Sequence, residues 1–443
     1  MASYKTPDVY VEEVATLPPS VAEVSTAIPA FIGYTEKAEA NGSDVTKIPT
    51  RISTFLEYQT YFGGPAAVEF TVKAADDNTV TSTTAKAALK QVLYHSLDIY
   101  FKNGGGPCYI VSLGNYEATA SKEDYEAGLG TLMKEDEPTL LVLTDAAASL
   151  AADDYYAVAQ AALAQCNKLK DRFAILDILA TDKDGAEFRD KIGTNHLKYG
   201  AAYYPSITTA LSYAYDEKGV AVNDKTLDAL ATSDTALYNN VKAALSQERV
   251  VLPPSAAVAG AYAQVDRDRG VWKSPANVSL ASVIAPTVKL NSLEQENFNV
   301  DATGGKSINV IRSFTGKGTL IWGARTLAGN DNEWRYVSVR RLFNTIEESI
   351  QKASSFAVFE ANNATTWIKV KAMIDSYLYA LWKQGALAGA DKDQAYFINI
   401  GLGKSMTEQD VLEGRMNVEV GVAAVRPAEF IILKFSHKLQ EAA

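Results

Sequence analysis

From 85 to 207 the sequence repeats one pattern four times. A segment with apolar residues at helical spacing leads into a short, continuously apolar run. In the first repeat Ala85, Leu89, Val92, Leu93, Ile99 and Tyr100 mark a helical stripe, "NGGGP" at 103–107 stops it, and "CYIVSLG" at 108–114 reads as a strand. Helices over 120–134, 152–170 and 184–194 then lead to strands at 139–145, 172–179 and 199–207. Strands without polar alternation belong to a sheet covered on both faces, and a helix between strands spans a parallel crossover. The spacing therefore predicts a doubly wound, parallel α/β sheet.

The flanking segments read differently. "AFIGYTEKA" (30–38) is a strand entering a loop, 52–65 a short helix closed by Gly63 and Gly64, and 69–85 an exposed hairpin around Asp76, Asp77 and Asn78. The polar stretch 216–234 reads as an insertion or surface hairpin. Ser255, after two prolines, reads as the cap of a small-residue helix within 253–272, and 307–328 as strands. The last third reads as a separate α+β unit. "WRYVSVRRL" is expected as a strand that turns into a helix through about Ala353. The segment 364–385 is expected as an amphipathic helix with the stripe Trp367, Val370, Ile374, Leu378 and Leu381, capped by Gly385. Strands follow at 395–400, 415–425 and 428–437, with Met416, Val418, Val420 and Val422 on one face. The expected division is an arm and tether over 1–29, a part packing with the C-terminal domain over 30–85, an α/β domain over 86–310 and a C-terminal domain over 311–443.

Each end carries a strand with no evident partner. Val9, Tyr10 and Val11 lie in "TPDVYVEEV", followed by the Pro/Ser/Thr-rich "ATLPPSVAEVSTAIP". Phe430, Ile431, Ile432, Leu433, Lys434 and Phe435 form a nearly continuous apolar run. Unpaired edges of this kind are aggregation hazards unless another strand covers them.

Chemistry is hard to find. The formal net charge is −11 and the pI about 5.0, which argues against a nucleic-acid binder. No apolar run reaches the ~18 residues of a membrane helix, so no membrane insertion is expected. "MASYKTPDVY" has no apolar signal core, and Cys108 and Cys166 read as buried thiols of a reducing compartment. His95, His196 and His437 show no metal spacing, and neither HExxH, CxxC nor GxSxG occurs, so no metal, cofactor or catalytic residue is assigned. Spacing alone does not exclude a triad assembled in space. "GLGKS" (401–405) has Ile398 where a phosphate loop needs glycine, and reads as a turn. "DRDRG" (266–270) reads as a salt-bridged interface or turn. What stands out is an arginine–aromatic concentration, Arg325, Trp334, Arg335, Tyr336, Arg340 and Arg341, of the kind found at contact hot spots. It reads equally as intramolecular salt bridges or as a domain or subunit junction.

Five stretches carry a family resemblance: "PDVYVEE" with its tether, "YFKNGGGPCYIV", "PPSAAVAGAYAQVDRDRGVWKSPAN", "WGARTLAGNDNEWRYVSVRRLFNTIEESI" and "VRPAEFIILKF". In these the chain resembles the tail sheath proteins of contractile phages, R-type bacteriocins and contractile injection systems, over nearly its whole length. The resemblance implies a subtilisin-like α/β domain without a protease role and a C-terminal domain facing an inner tube. It implies stacked hexameric rings or a helix of identical subunits, contracting to drive the tube through a target envelope. Val9–Val11 and Phe430–Phe435 would then be arms that pair with neighbouring subunits. Lys369, Lys371, Lys383 and Lys404 are candidate contacts to an acidic tube. Further partners implied are baseplate and terminator proteins and paralogous sheath subunits, with assembly in a bacterial cytoplasm as part of a phage tail or tail-like particle. A static filament or shell protein and an unrecognised α/β hydrolase are the alternative readings.

Overall fold

The computed structural model describes residues 21–432. Val9, Tyr10, Val11, Leu433, Lys434, Phe435 and His437 lie outside the described residues. Contacts divide the chain into two units, and the division falls within the helix Val337–Ala353. Among the described residues, the larger unit holds 25–345 and 426–432, and the smaller holds 21–24 and 346–425.

The larger unit is built on a nine-stranded sheet. Its order is Val278–Ser279, Gly318–Ile321, Ile308–Phe314, Gly200–Tyr204, Phe173–Asp177, Leu140–Val142, Pro29–Gly33, Cys108–Ser112 and Thr50–Ile52. The six strands from Ile308–Phe314 to Cys108–Ser112 run parallel, and the outer ones antiparallel. Side chains alternate between two covered faces, as the pleat requires. Ile32, Val111, Leu141 and Leu176 pack with Tyr125, Leu129, Val158 and Leu163 of the helices Lys122–Thr131 and Ala152–Leu169. Phe31, Ile110, Val142 and Ile175 pack with Leu97, Tyr100, Val258 and Tyr262 of the helices Leu93–Lys102 and Ser255–Arg269. These last two helices approach closely at Gly260, where a Cβ would lie 2.5 Å from the Tyr100 carbonyl oxygen. That contact leaves no room for a side chain at position 260.

Several expectations need correction. The strand at 30–38 does not belong to a separate part that packs with a C-terminal domain; Pro29–Gly33 sits inside the sheet between Leu140–Val142 and Cys108–Ser112. The strands at 308–321 extend the same sheet, so the contacts do not divide the chain at 85/86 or 310/311. "WRYVSVRRL" is not a strand: Tyr336 makes a single bridge to Arg325, and the helix begins at Val337. Val337 and Val339 alternate, but Leu342 and Ile346 continue a buried helical face. Pro254, not Ser255, occupies the cap position of its helix.

The hairpin at 69–85 and the polar stretch at 216–234 form one lobe. Phe70–Ala74 pairs antiparallel with Val80–Ala85 and parallel with Val220–Val222, which in turn pairs with Lys225–Thr226. Phe70, Val72, Val220 and Val222 pack on Leu230, Leu237 and Val241 of the helices Leu227–Ser233 and Thr235–Leu245.

In the smaller unit the helix Ala364–Lys383 buries Val370, Met373, Ile374, Tyr377, Leu378 and Leu381. Asn363 caps it by accepting from the amides of Thr365 and Thr366, and Gly385 follows at φ 86°, a left-handed turn that glycine makes without strain. Tyr396–Ile400 and Val418–Val422 form an antiparallel pair, and among the described residues neither outer edge carries a third strand.

Candidate functional site

The arginine–aromatic concentration resolves into three separate clusters, all within the larger unit. In the first, the Arg325 guanidinium donates to both carboxylate oxygens of Glu429, Nε to Oε1 at 2.9 Å and Nη2 to Oε2 at 2.8 Å. Tyr336 Oη (3.0 Å) and Asn299 Nδ2 (2.8 Å) donate to the same carboxylate. Burial pushes the Glu429 carboxyl up, but the bonds from Arg325 and Asn299 outweigh it and the net direction is downward. In the second, the Arg340 guanidinium lies 4.2 Å from the Trp334 ring centroid and donates from Nε to Asn344 Oδ1 at 2.8 Å. In the third, Arg341 reaches both oxygens of Asp266, at 3.0 and 2.5 Å, and the Thr26 carbonyl. Asp266 belongs to "DRDRG", so the salt-bridge reading holds there. Arg335 is more exposed and donates to the Gly329 carbonyl and to Asn332.

These geometries separate structural arginines from peripheral ones. Arg340 is 2% exposed. Arg340→Ala is expected to cost about 3 kcal/mol, through lost stacking and the loss of the Arg340 donor to the buried Asn344 Oδ1. Arg335→Ala is expected to cost under about 1 kcal/mol. Urea unfolding of both variants checks this, and equal losses would contradict it.

Glu429 was not marked by sequence reasoning. The available signal was an acid placed directly before the apolar run "FIILKF". Phe430, Ile431 and Ile432, just beyond it, are exposed and in no described strand. The lysines Lys369, Lys371, Lys383 and Lys404 are all exposed. Lys369 and Lys383 lie about four turns apart on one flank of their helix, with Lys371 on the other flank. Lys383 stands 4.6 Å from the Trp382 ring centroid. Lys404 sits in a turn whose Gly401 and Gly403 have φ 134° and 74°, the turn expected of "GLGKS".

A model of the phage tail sheath C-terminal domain matches residues 329–438. The tail sheath proteins of Vibrio phage KVP40 and Enterobacteria phage T4 are each 28% identical over 127 residues, 29% of this chain and 19% of those proteins. The chain thus matches about a fifth of the length of these curated relatives. Two solved structures match almost end to end. One is the sheath complex of an extracellular contractile injection system, PVC, in its contracted state, at 33% identity and TM-score 0.70, covering 99% of each chain. The other is the contracted helical sheath of the anti-feeding prophage, at 32% identity and TM-score 0.71, covering 98% of this chain and 100% of that one. The chain belongs to the contractile tail sheath family.

The sheath chain carries two buried carboxylates, Asp177 at the end of the strand Phe173–Asp177 and Asp145 in the first turn of the helix Thr144–Ser149, which follows the strand Leu140–Val142. Asp145 accepts from the amides of Tyr34 (3.1 Å), Val92 (2.7 Å) and Leu93 (3.2 Å) and from Tyr125 Oη (2.8 Å). It serves the free amides at the start of the helix Leu93–Lys102. Burial pushes it up to about 6 against these donors. Asp177 accepts from the Ser255 amide (2.8 Å) and hydroxyl (2.5 Å), and that hydroxyl lies 2.7 Å from Thr144 Oγ1. Ser255 is fully buried, and among the described residues no histidine is a hydrogen-bond partner of it. His95 is also buried, its Nε2 is without a partner, and burial pushes it down to about 4.

Burial raises Asp177 to about 7 from an ordinary 3.8. Between these values the folded sheath subunit holds a proton that the unfolded chain has released. The stability linked to that proton is full below about pH 4 and is lost as pH rises through 7. The stability difference between wild type and Asp177→Asn is therefore expected to shift against wild type by more than about 1 kcal/mol between pH 4.5 and 7.5. Urea titrations at both pH values test this; a pH-independent difference would contradict it.

Proposed function

We propose that this chain is the structural subunit of a contractile sheath. Subunits polymerise as stacked hexameric rings or a helix around an inner tube, and contraction drives the tube through a target envelope. The observation that carries this reading is the likeness at 32–33% identity, over almost the full chain, to the PVC and anti-feeding prophage sheaths, both seen contracted.

In this reading the doubly wound domain is subtilisin-like in fold and has no protease role. The terminal strands are arms that add to sheets of neighbouring subunits, since main-chain hydrogen bonds supply a link that survives rigid-body movement. Two features support this. The pair Tyr396–Ile400 and Val418–Val422 offers two outer edges without a described third strand, matching two arms. The three apolar residues from Phe430 to Ile432 are exposed. The contact is head-to-tail and builds a helix. Lys369, Lys371, Lys383 and Lys404 would meet an acidic tube; baseplate, terminator and paralogous sheath subunits are the further partners. Assembly takes place in a bacterial cytoplasm. Contraction energy comes from larger subunit interfaces in the contracted state, with no nucleotide consumed.

Electron microscopy of the purified chain tests the reading against its alternatives. Tubes of sheath width are expected, and monodisperse particles would count against it. For the hydrolase alternative, a fluorophosphonate probe is expected to label no serine, because Ser255 is enclosed. Specific labelling abolished by Ser255→Ala would favour an enzyme.

A further inference from the structure

The two roots of the proposed arms are built differently. The N-terminal root lies in the smaller unit, where, among the described residues 21–24, the Val24 amide donates to the buried Ser349 hydroxyl at 3.3 Å. The C-terminal root lies in the larger unit and is charged. Among the described residues 426–432, Glu429 is the side chain that makes hydrogen bonds, and it accepts four. Two come from Arg325, whose side chain is 5% exposed, against 21% for Glu429. A bidentate, charge-assisted pair of this kind fixes orientation as well as distance.

We propose that Glu429 is the positioning residue for the C-terminal arm, clasped by Arg325, Tyr336 and Asn299 so that the arm leaves its subunit from a fixed point in a fixed direction. The proposal rests on the reading of 428–437 as an inter-subunit arm. Upstream of the clasp the nearest tie is Val425, whose amide donates to the Ala386 carbonyl at 3.2 Å. Opening the clasp frees the four residues from 426 to 429, up to about 13 Å of extended chain. That is about four residue steps along a strand, each of about 3.3 Å. An arm with such slack could slip in register, and a one-residue slip turns every side chain to the wrong face. With the clasp closed, load on the arm reaches the body at Glu429 and passes through Arg325 into the sheet, since the Arg325 amide donates to Asn309 Oδ1 and Asn309 lies in Ile308–Phe314.

The experiment uses the full chain with Glu429→Ala, Glu429→Gln and Ile432→Pro. On the monomer, chymotrypsin cleavage after Phe430 reports whether the root is held. Wild type is expected to be cut slowly, and faster as salt weakens the partly exposed ion pair. Glu429→Ala is expected to be cut at least tenfold faster, with no salt dependence and a melting temperature within a few degrees of wild type. Glu429→Gln keeps the side chain's shape and loses its charge; it is expected to lose the salt dependence too, which keeps the test valid should Glu429→Ala unfold. In assembly, both variants are expected to give at least tenfold fewer or markedly shorter tubes. Wild-type cleavage rates, or normal tubes from both Glu429 variants while Ile432→Pro gives none, would overturn the clasp and leave the arm standing. Normal tubes from Ile432→Pro would overturn the arm itself.

Discussion

Ile432→Pro is expected to abolish sheath formation while leaving the monomer's melting temperature unchanged. Ile432 is 79% exposed and lies in no described strand, so its own subunit gains little from it. If the segment pairs with a neighbour, its backbone N–H is needed there. Proline removes that donor and fixes φ, which a paired strand does not tolerate away from an edge. One ladder bond is worth only about 0.5–1.5 kcal/mol net. A helical lattice repeats the defect at every subunit, so the local loss becomes a failure of assembly. Val11→Pro is expected to act in the same way at the other end. Calorimetry on the monomer and sedimentation of assemblies give the two halves of the result. A globally unfolded Ile432→Pro monomer would show that the segment completes its own subunit's core.

Asp145→Ala is expected to destabilise the monomer by about 4 kcal/mol or more. The carboxylate is fully buried and satisfies three amides and one hydroxyl. Each buried donor left without a partner costs about 1–3 kcal/mol. The site is also shaped for this side chain: a Cβ on Gly33 would lie 2.6 Å from Asp145 Oδ2. Against a total stability of about 5–15 kcal/mol, the loss is large enough to leave part of the protein unfolded at ambient temperature. Asp145→Asn keeps one acceptor oxygen and is expected to lose less. Urea midpoints measure both, and a wild-type midpoint for Asp145→Ala would show that water takes over the carboxylate's bonds.

The parallel sheet was legible because its strands are short apolar runs separated by helices, a pattern local in sequence. Pairing is not local. Pro29–Gly33 announces a strand by its apolar character, yet nothing in it says that residues 108–112 and 140–142 lie on either side. The same limit hid the lobe: residues 69–85 and 216–234 each read as a surface hairpin, and their shared core becomes visible only when Val220–Val222 is set beside Phe70–Ala74. The arginine cluster was visible as composition, but its partners were not. Glu429 stands 104 residues from Arg325, and Asp266 stands 75 from Arg341. Asp145 and Asp177 left a fainter trace, since "TLLVLTD" and "RFAILDIL" each carry an acid in an otherwise apolar run. An acid so placed is costly unless the fold provides it with donors, and the residue order alone is enough to show that cost.

The central claim is that the chain assembles into a sheath with two states. Electron microscopy of the purified chain assembled with a candidate tube protein, before and after a contraction trigger such as mild denaturant or acid, tests it most directly. Long, narrow sheaths around the tube that convert to shorter, wider ones are the expected result. Tubes of one fixed length and width under every condition would contradict contraction, and the absence of tubes would contradict assembly itself.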